Sequence, residues 1–123
     1  DEWRTALAPI GTDWIKPHLT DAPWIVVLFK QSYGVLPDGS KQKHYYVEES
    51  VGIAAGLFIA AIHHMGLVTL THTPTPTAFL RTLLDRGKHE TAVLVLPVGY
   101  PHPDATVPDF TRKSLDQIST WYE

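Results

Sequence analysis

The sequence has no cysteine among its 123 residues, so these residues cannot form disulfide bonds, zinc–thiolate sites or cysteine nucleophiles. A chain without cysteine fits a reducing compartment, and we expect it in the cytoplasm. An excess of positive charge is missing as well. Ten Lys and Arg residues against 13 Asp and Glu residues give a net charge of −3. This balance argues against a nucleic-acid partner, because phosphate binding needs a basic surface.

Long uninterrupted hydrophobic runs are also absent. The longest, Val51–Leu70, is broken by three glycines and two histidines, so we expect no membrane-spanning segment. The N-terminal residues lack the charged stretch followed by an apolar stretch that marks a signal peptide. The first residue is Asp1 rather than Met, as expected of a fragment or a processed product. The remaining composition, 44% hydrophobic and 19% charged, predicts one globular domain over residues 1–123.

Three apolar runs predict strands. Trp24–Phe29 is a continuous run of β-branched and aromatic residues, which is typical of a strand buried on both faces. Thr91–Val98 is predicted to be a second apolar strand, and Val68–Thr71 a short third one. Pro37–Ser40 reads as a turn, in which proline sets φ and Gly39 takes the positive-φ position. The proline-rich stretch Gly99–Thr111 is expected to be extended.

The longest helix is predicted over Val47–Met65. Glu48 and Glu49 lie near its start, where the helix dipole favours negative charge. The apolar residues of this segment, small and large, lie on nearly all sides of the predicted helix, which indicates that the helix is buried among other elements. Gly66 is expected to end it.

Shorter helices are predicted behind residues that can cap a helix N-terminus. The first runs through Trp14, Ile15 and Lys16 after Thr12 or Asp13, with Pro17 in its first turn, where proline is tolerated. The others are Ala78–Asp85 after Thr77 and Leu115–Ile118 after Ser114. Helices that alternate with strands indicate an α/β or α+β domain.

A threonine-rich segment follows the short third strand. Alternation along an extended chain places Thr69, Thr71 and Thr73 on one face. A row of hydroxyls at a strand end can exchange hydrogen bonds with a polar planar ligand. The alternative is an ordinary edge strand, since threonine has high β propensity. The residues alone leave both interpretations open.

Two further groups of side chains could bind ligands. Arg112 and Lys113 follow a strand exit, where a guanidinium suits an anion such as phosphate, although a solvated surface arginine is the alternative. His63 and His64 are adjacent, so on a helix their side chains diverge by about 100° and do not converge on one ion. We therefore expect no metal site.

Several segments taken together resemble the iodotyrosine deiodinase branch of the FMN-dependent nitroreductase superfamily. The resemblance covers nearly the whole chain and is strongest in Tyr45–Leu57 (YYVEESVGIAAGL), Gly66–Pro74 (GLVTLTHTP), Leu96–Pro101 (LPVGYP), Ala105–Pro108 (ATVP) and Arg112–Ile118 (RKSLDQI). Trp14–Lys16 (WIK) and Ala22–Trp24 (APW) strengthen it. His72 departs from the threonine expected there in the animal enzymes.

The resemblance implies an α+β, nitroreductase-like FMN-binding fold with a central mixed sheet flanked by helices, of which this chain is the C-terminal portion. It implies an intertwined homodimer with FMN at the interface, reduced by NAD(P)H or a reductase. By match to the family motif, Thr71, His72 and Thr73 line the flavin, and Thr73 is the catalytic residue that hydrogen-bonds flavin N5. Arg112 contacts the FMN phosphate, and Lys16 binds a halotyrosine substrate.

The implied activity is reductive dehalogenation of halotyrosines, because a hydroxyl at N5 favours one-electron steps over hydride transfer. An FMN-dependent nitroreductase or quinone reductase is the alternative within the same superfamily. A third possibility is a non-catalytic fragment without a complete flavin site. The family's arginine-rich phosphate motif and its active-site lid do not occur in these 123 residues, so we expect the flavin site to require an upstream segment.

Overall fold

The computed structural model describes residues 2–122, which form two compact units. The larger unit is residues 16–101, and the smaller one combines residues 1–15 with residues 102–123. The helices are α1 Glu2–Leu7, followed by a 3₁₀ turn Ala8–Ile10, then α2 His18–Asp21, α3 Val47–His64, α4 Ala78–Leu83 and α5 Leu115–Ile118. The strands are β1 Trp24–Gln31, β2 Tyr33–Val35, β3 Lys41–Lys43, β4 Val68–Thr69 and β5 Glu90–Gly99.

The larger unit is organised around β5, which lies between β1 and β4 in a three-stranded sheet. Both pairings are antiparallel, with Trp24 opposite Val98 in β1 and Thr69 opposite Val98 in β4. The α+β class is confirmed. The parallel pairing that a mixed sheet requires does not occur within residues 2–122, where β2 and β3 form a separate antiparallel pair.

A β-bulge in β5 decides which side chains share the core. Leu28 pairs with Leu94 but Phe29 pairs with Ala92, so Val93 is the extra residue. The bulge reverses the alternation, which places Ala92 and Val95 in the same cluster with Leu80. Half-buried Leu19, Val27 and Phe29 pack on that cluster.

The predicted strands are confirmed in place, except that β4 ends at Thr69 and not at the predicted Thr71. The expected burial of the first strand is wrong. In β1, Trp24 is 73% exposed and Ile25 42% exposed, and the remaining residues are at most half-buried. The most buried side chain is Leu96 in β5, at 1% exposure. The central strand is covered because it has a neighbour on each edge, whereas β1 is an edge strand in this chain.

Helix α3 begins at Val47 as predicted and ends at His64. The N–H groups of Gly66 and Leu67 donate to the carbonyls of His63 and Ile62 at 3.0 Å each, and Gly66 has φ +77°. This is the expected glycine-terminated stop. The expected burial is wrong, since only Ala55 and Ile62 of the helix are buried. One side of α3 packs on the sheet edge strands and the other sides remain uncovered in this chain.

The short N-terminal helix prediction is also wrong. Residues 14–16 are not helical, because the Asp13 carboxylate accepts the Ile15 N–H at 2.7 Å and closes a local turn instead. The helix follows Pro17 as α2, while α1 lies further upstream. Helix α4 stops at Leu83, before the predicted Asp85, and α5 agrees with its prediction. Among the described residues, no helix is long and apolar enough to cross a membrane.

The predicted turn at residues 37–40 joins β2 and β3 into a hairpin that the sequence analysis did not foresee. Gly39 has φ +81°, as expected, and its N–H donates to the Leu36 carbonyl at 2.8 Å. The Asp38 carboxylate accepts the Ser40 N–H at 2.9 Å and the Ser40 hydroxyl at 2.6 Å. The side-chain hydrogen bond to Ser40 lowers the pKa of Asp38.

Candidate functional site

The threonine-rich segment runs along the edge of β5 beyond the end of β4. Thr69 pairs with Val98, and His72 forms an isolated bridge with Val95, so the register is unchanged. The His72 N–H donates to the Val95 carbonyl at 2.9 Å, and the Val95 N–H donates back to the His72 carbonyl at 2.8 Å. Because Val95 is in the core cluster, these two bonds fix the segment to the centre of the sheet.

The three threonines of this segment are not equivalent. The Thr69 hydroxyl donates to the Pro97 carbonyl at 2.8 Å, so it stabilises the pairing of β4 with β5. Thr71 and Thr73 are exposed, and neither hydroxyl is used in a hydrogen bond within residues 2–122. The edge-strand interpretation therefore fits Thr69, while the other two hydroxyls remain available to a ligand.

His18, at the start of α2, lies against His72. The ring centroids are 5.8 Å apart in an edge-to-face arrangement. The Nε2 atom of His18 is buried and has no hydrogen-bond partner in the described part of the chain. Burial lowers the pKa of His18, the positive charges of His72 and Lys16 lower it further, and Asp21 acts in the opposite direction. These effects together favour the neutral form of the His18 imidazole.

Lys16 belongs to the same corner. It is half-buried, and its carbonyl accepts the Leu19 N–H at 3.0 Å at the turn that starts α2. Its positive charge acts on His18, whose ring contacts His72. We call Lys16, His18, Thr71, His72 and Thr73 the threonine corner. Four of these residues were predicted from the sequence.

His18 was missed by the sequence analysis. No helix or strand pattern distinguishes it, and a single histidine next to a proline has no motif of its own. The available signal was its position two residues after Lys16. Only the tertiary contact with His72, which is 54 positions away in the sequence, gives His18 a place in the site.

Arg112 lies in the smaller unit, in an irregular stretch before α5, and its side chain is exposed. In α5 the Gln117 side chain accepts the Ser114 N–H at 2.9 Å, which fixes the first turn just after Arg112. An exposed guanidinium on a capped turn is suited to an anion. Its contact with a phosphate stays a prediction.

A cleft of about 460 Å³ opens beside His18, between α2 and the ends of β4 and β5. Its walls combine the carboxyl-bearing Asp21 and the phenol-bearing Tyr100 with apolar residues such as Leu70. A mainly apolar group of modest size fits such a cleft, with polar contacts at the rim.

A second groove, of about 810 Å³, lies between β1 and α4 and ends at Glu90. The buried Glu90 carboxylate accepts Nε and Nη2 of Arg86 at 2.7 Å each, the Gly87 N–H at 3.1 Å and the Gln31 side chain at 3.1 Å. Hydrogen bonds from Arg86 and then Gln31 lower the pKa of Glu90 to about 2. This carboxylate is fully occupied and has a structural role. No group of three or more potential metal ligands occurs within residues 2–122.

The fold and the corner define an α+β segment of the nitroreductase-like type, and comparisons with known proteins make the relationship more specific. An iodotyrosine deiodinase of Haliscomenobacter hydrossis is 52% identical over 122 residues, which are 99% of this chain and 55% of that protein. Iodotyrosine deiodinase 1 of Homo sapiens is 50% identical over 94% of the chain and 40% of that protein. No protein-family model matches.

A solved structure agrees in fold. The crystal structure of an oxidized iodotyrosine deiodinase bound to FMN and 3-iodo-L-tyrosine superposes with a TM-score of 0.73 and 25% sequence identity, covering 99% of this chain and 56% of that one. The chain is thus a homologue of the iodotyrosine deiodinases, as its motifs predicted, and matches their C-terminal half. It spans about half the length of the curated relatives it matches.

Proposed function

We propose that this chain forms part of an FMN-dependent oxidoreductase that reductively dehalogenates halotyrosines. The observation that carries the proposal is the threonine corner. The half-buried Lys16 lies two residues before His18, and the His18 ring contacts His72, which stands between Thr71 and Thr73 with their unused hydroxyls. The similarity to deiodinases, one of which was solved with FMN and iodotyrosine, supports the choice of cofactor and substrate.

The residues of this chain fit a flavin. Thr71 and Thr73 present unused hydroxyls on an exposed strand edge, where a planar polar ring can lie against them. Arg112 offers an exposed guanidinium for a phosphate. When bound, FMN supplies the electrons for reduction, while the protein supplies position and electrostatics.

Each residue of the chain then has a defined task. The Thr73 hydroxyl would donate a hydrogen bond to the flavin ring, and FMN would supply the electrons there. The Thr73 backbone is held because the neighbouring His72 is bonded to Val95 in both directions. The Lys16 ammonium binds the substrate's carboxylate or its phenolate as a point charge. The Arg112 guanidinium would hold the phosphate group of the cofactor.

We further propose a homodimer that takes electrons from NAD(P)H or a reductase in the cytoplasm. The uncovered apolar side of α3 supports a partner surface, since Ile53 and Leu57 are 65% and 67% exposed in this chain. An apolar helix face of this kind is stable only when another element covers it. The lack of cysteine is consistent with a reducing compartment.

The test uses the full-length protein with FMN, reduced under anaerobic conditions and mixed with iodotyrosine. We expect release of iodide in proportion to the reduced flavin consumed. Rapid reduction of nitroaromatics without iodide release would instead indicate the nitroreductase alternative. Protein that shows no visible flavin absorbance after incubation with FMN would indicate a non-catalytic role.

A further inference from the structure

We propose that His18 is a positioning residue, whose neutral imidazole packs on His72 and so holds Lys16 and Thr73 in one arrangement. The inference rests on the proposed function, because it concerns how the substrate-binding lysine and the flavin-facing threonine are kept together. It gives a task to a residue that has no other evident role in the corner.

Both histidines are attached to the same part of the core. Leu19, the residue after His18, packs on the cluster of Leu80, Ala92 and Val95. His72 is hydrogen-bonded to Val95 of that cluster in both directions, at 2.9 and 2.8 Å. The contact between the rings therefore joins two segments that are both attached to the same core cluster, and it can fix the distance between them.

The contact also reaches Lys16 through the backbone. The Lys16 carbonyl accepts the Leu19 N–H at 3.0 Å, and the Pro17 carbonyl accepts the N–H groups of Thr20 and Asp21 at 2.9 Å each. These bonds make residues 16–21 one short turn. A displacement of His18 consequently displaces Lys16, while a displacement of His72 displaces its neighbour Thr73.

The buried Nε2 of His18 supports a specific role. A buried polar atom without a hydrogen-bond partner is costly, and a leucine or phenylalanine would fill the same space without that cost. Imidazole differs from those side chains in its ability to gain charge. The position therefore combines packing with sensitivity to protonation.

The charges that face His18 make its protonated form unfavourable in this arrangement. Burial has the largest effect in lowering the pKa of His18, His72 on the strand edge and Lys16 before α2 lower it further, and Asp21 within α2 raises it. Protonation would place a positive charge on a ring that contacts His72 and whose Nε2 atom is buried without a hydrogen-bond partner in the described part of the chain. We expect the ring to leave His72 in acid and the corner to loosen.

The first test measures halotyrosine turnover by the full-length flavoprotein across pH. A misplacement of about 1 Å can lower the rate of an enzyme roughly hundredfold. We expect a smaller effect of His18→Ala, namely a rise of about tenfold in KM for iodotyrosine. His18→Phe should restore KM to within about twofold at neutral pH. We expect kcat/KM of the unaltered protein to fall in acid, and His18→Phe should remove that fall. His64→Ala, at an exposed position on α3, is the matched control.

The second test is independent of turnover and uses NMR of the flavin-bound protein. The amide signals of Lys16, Thr71 and Thr73 should shift in His18→Ala and return in His18→Phe. The His18 ring should titrate below its ordinary pKa, and His72→Phe should raise that pKa because one of the charges that lower it is gone.

The results separate the two proposals. Unmoved amide signals, an ordinary His18 titration, or turnover that falls only in proportion to bound flavin would overturn the role of His18. Absence of iodide release by the unaltered protein, with the NMR results as expected, would overturn the proposed reaction and leave the positioning of the two segments established.

Discussion

Two threonines of one short segment allow function to be separated from stability. Thr69 donates its hydroxyl to the Pro97 carbonyl at 2.8 Å, whereas the exposed Thr73 makes no hydrogen bond with any described residue. Replacement by valine removes the hydroxyl from either residue and preserves its size and β-branched shape. Thr69→Val and Thr73→Val are therefore matched changes only four positions apart.

The structure sets the expected magnitudes. Thr69→Val loses one neutral intramolecular hydrogen bond, which is worth about 1 kcal/mol of the free energy of unfolding. Thr73→Val loses none, and we expect its stability to stay within about 0.5 kcal/mol of the unaltered protein. If the Thr73 hydroxyl donates to the flavin during the reaction, the same bond strength of about 1 kcal/mol corresponds to a roughly fivefold loss of iodide release.

Urea denaturation and anaerobic iodide release, measured on the full-length protein, test both effects. With an m-value of about 2 kcal/mol/M, Thr69→Val should lower the unfolding midpoint by about 0.5 M and leave turnover unchanged. Thr73→Val should leave the unfolding midpoint nearly unchanged and lower iodide release. It should also shift the product balance towards nitroreduction. Equal effects of the two changes on turnover, or a large loss of stability in Thr73→Val, would refute the division of roles.

Two further predictions follow from charged residues. Lys16→Met should weaken halotyrosine binding about 10-fold or more, because it removes one hydrogen bond to a charged group, and it should leave FMN binding nearly unchanged. Lys88→Met, at an exposed turn, is the control. Equal losses of affinity for the two ligands, measured by titration, would assign Lys16 a structural role. The pKa of Glu90 is about 2 in the folded protein and 4.5 in its ordinary state, so the stability that its ionised form contributes is complete above about pH 4.5 and is lost as the pH falls towards 2. The difference in unfolding free energy between the unaltered protein and Glu90→Gln, measured by urea denaturation, should therefore shrink from pH 5 to pH 3, and a constant difference would contradict the ionic role of this carboxylate.

Local patterns foresaw the elements that depend on neighbouring residues. The apolar strand β5, the acidic residues at the start of α3, the positive φ of Gly39 and the helix stop at Gly66 were all predicted correctly. The helix at residues 14–16 was not, because the Asp13 side chain can cap a helix or close a turn, and only the surrounding chain selects between them. The predicted burial of β1 and α3 was also wrong. A run of apolar residues does not reveal which of its faces are covered by other residues of this chain.

The sequence by itself indicated the resemblance to the iodotyrosine deiodinases and the candidate residues Lys16, Thr71, His72 and Thr73, since these belong to motifs that can be read in a linear order. Only the tertiary structure separated Thr69 from the other threonines, because its partner is a carbonyl on another strand. The same holds for His18. Its contact with His72 depends on the bridge to Val95 and the packing of Leu19, and thus on long-range geometry that no short segment encodes.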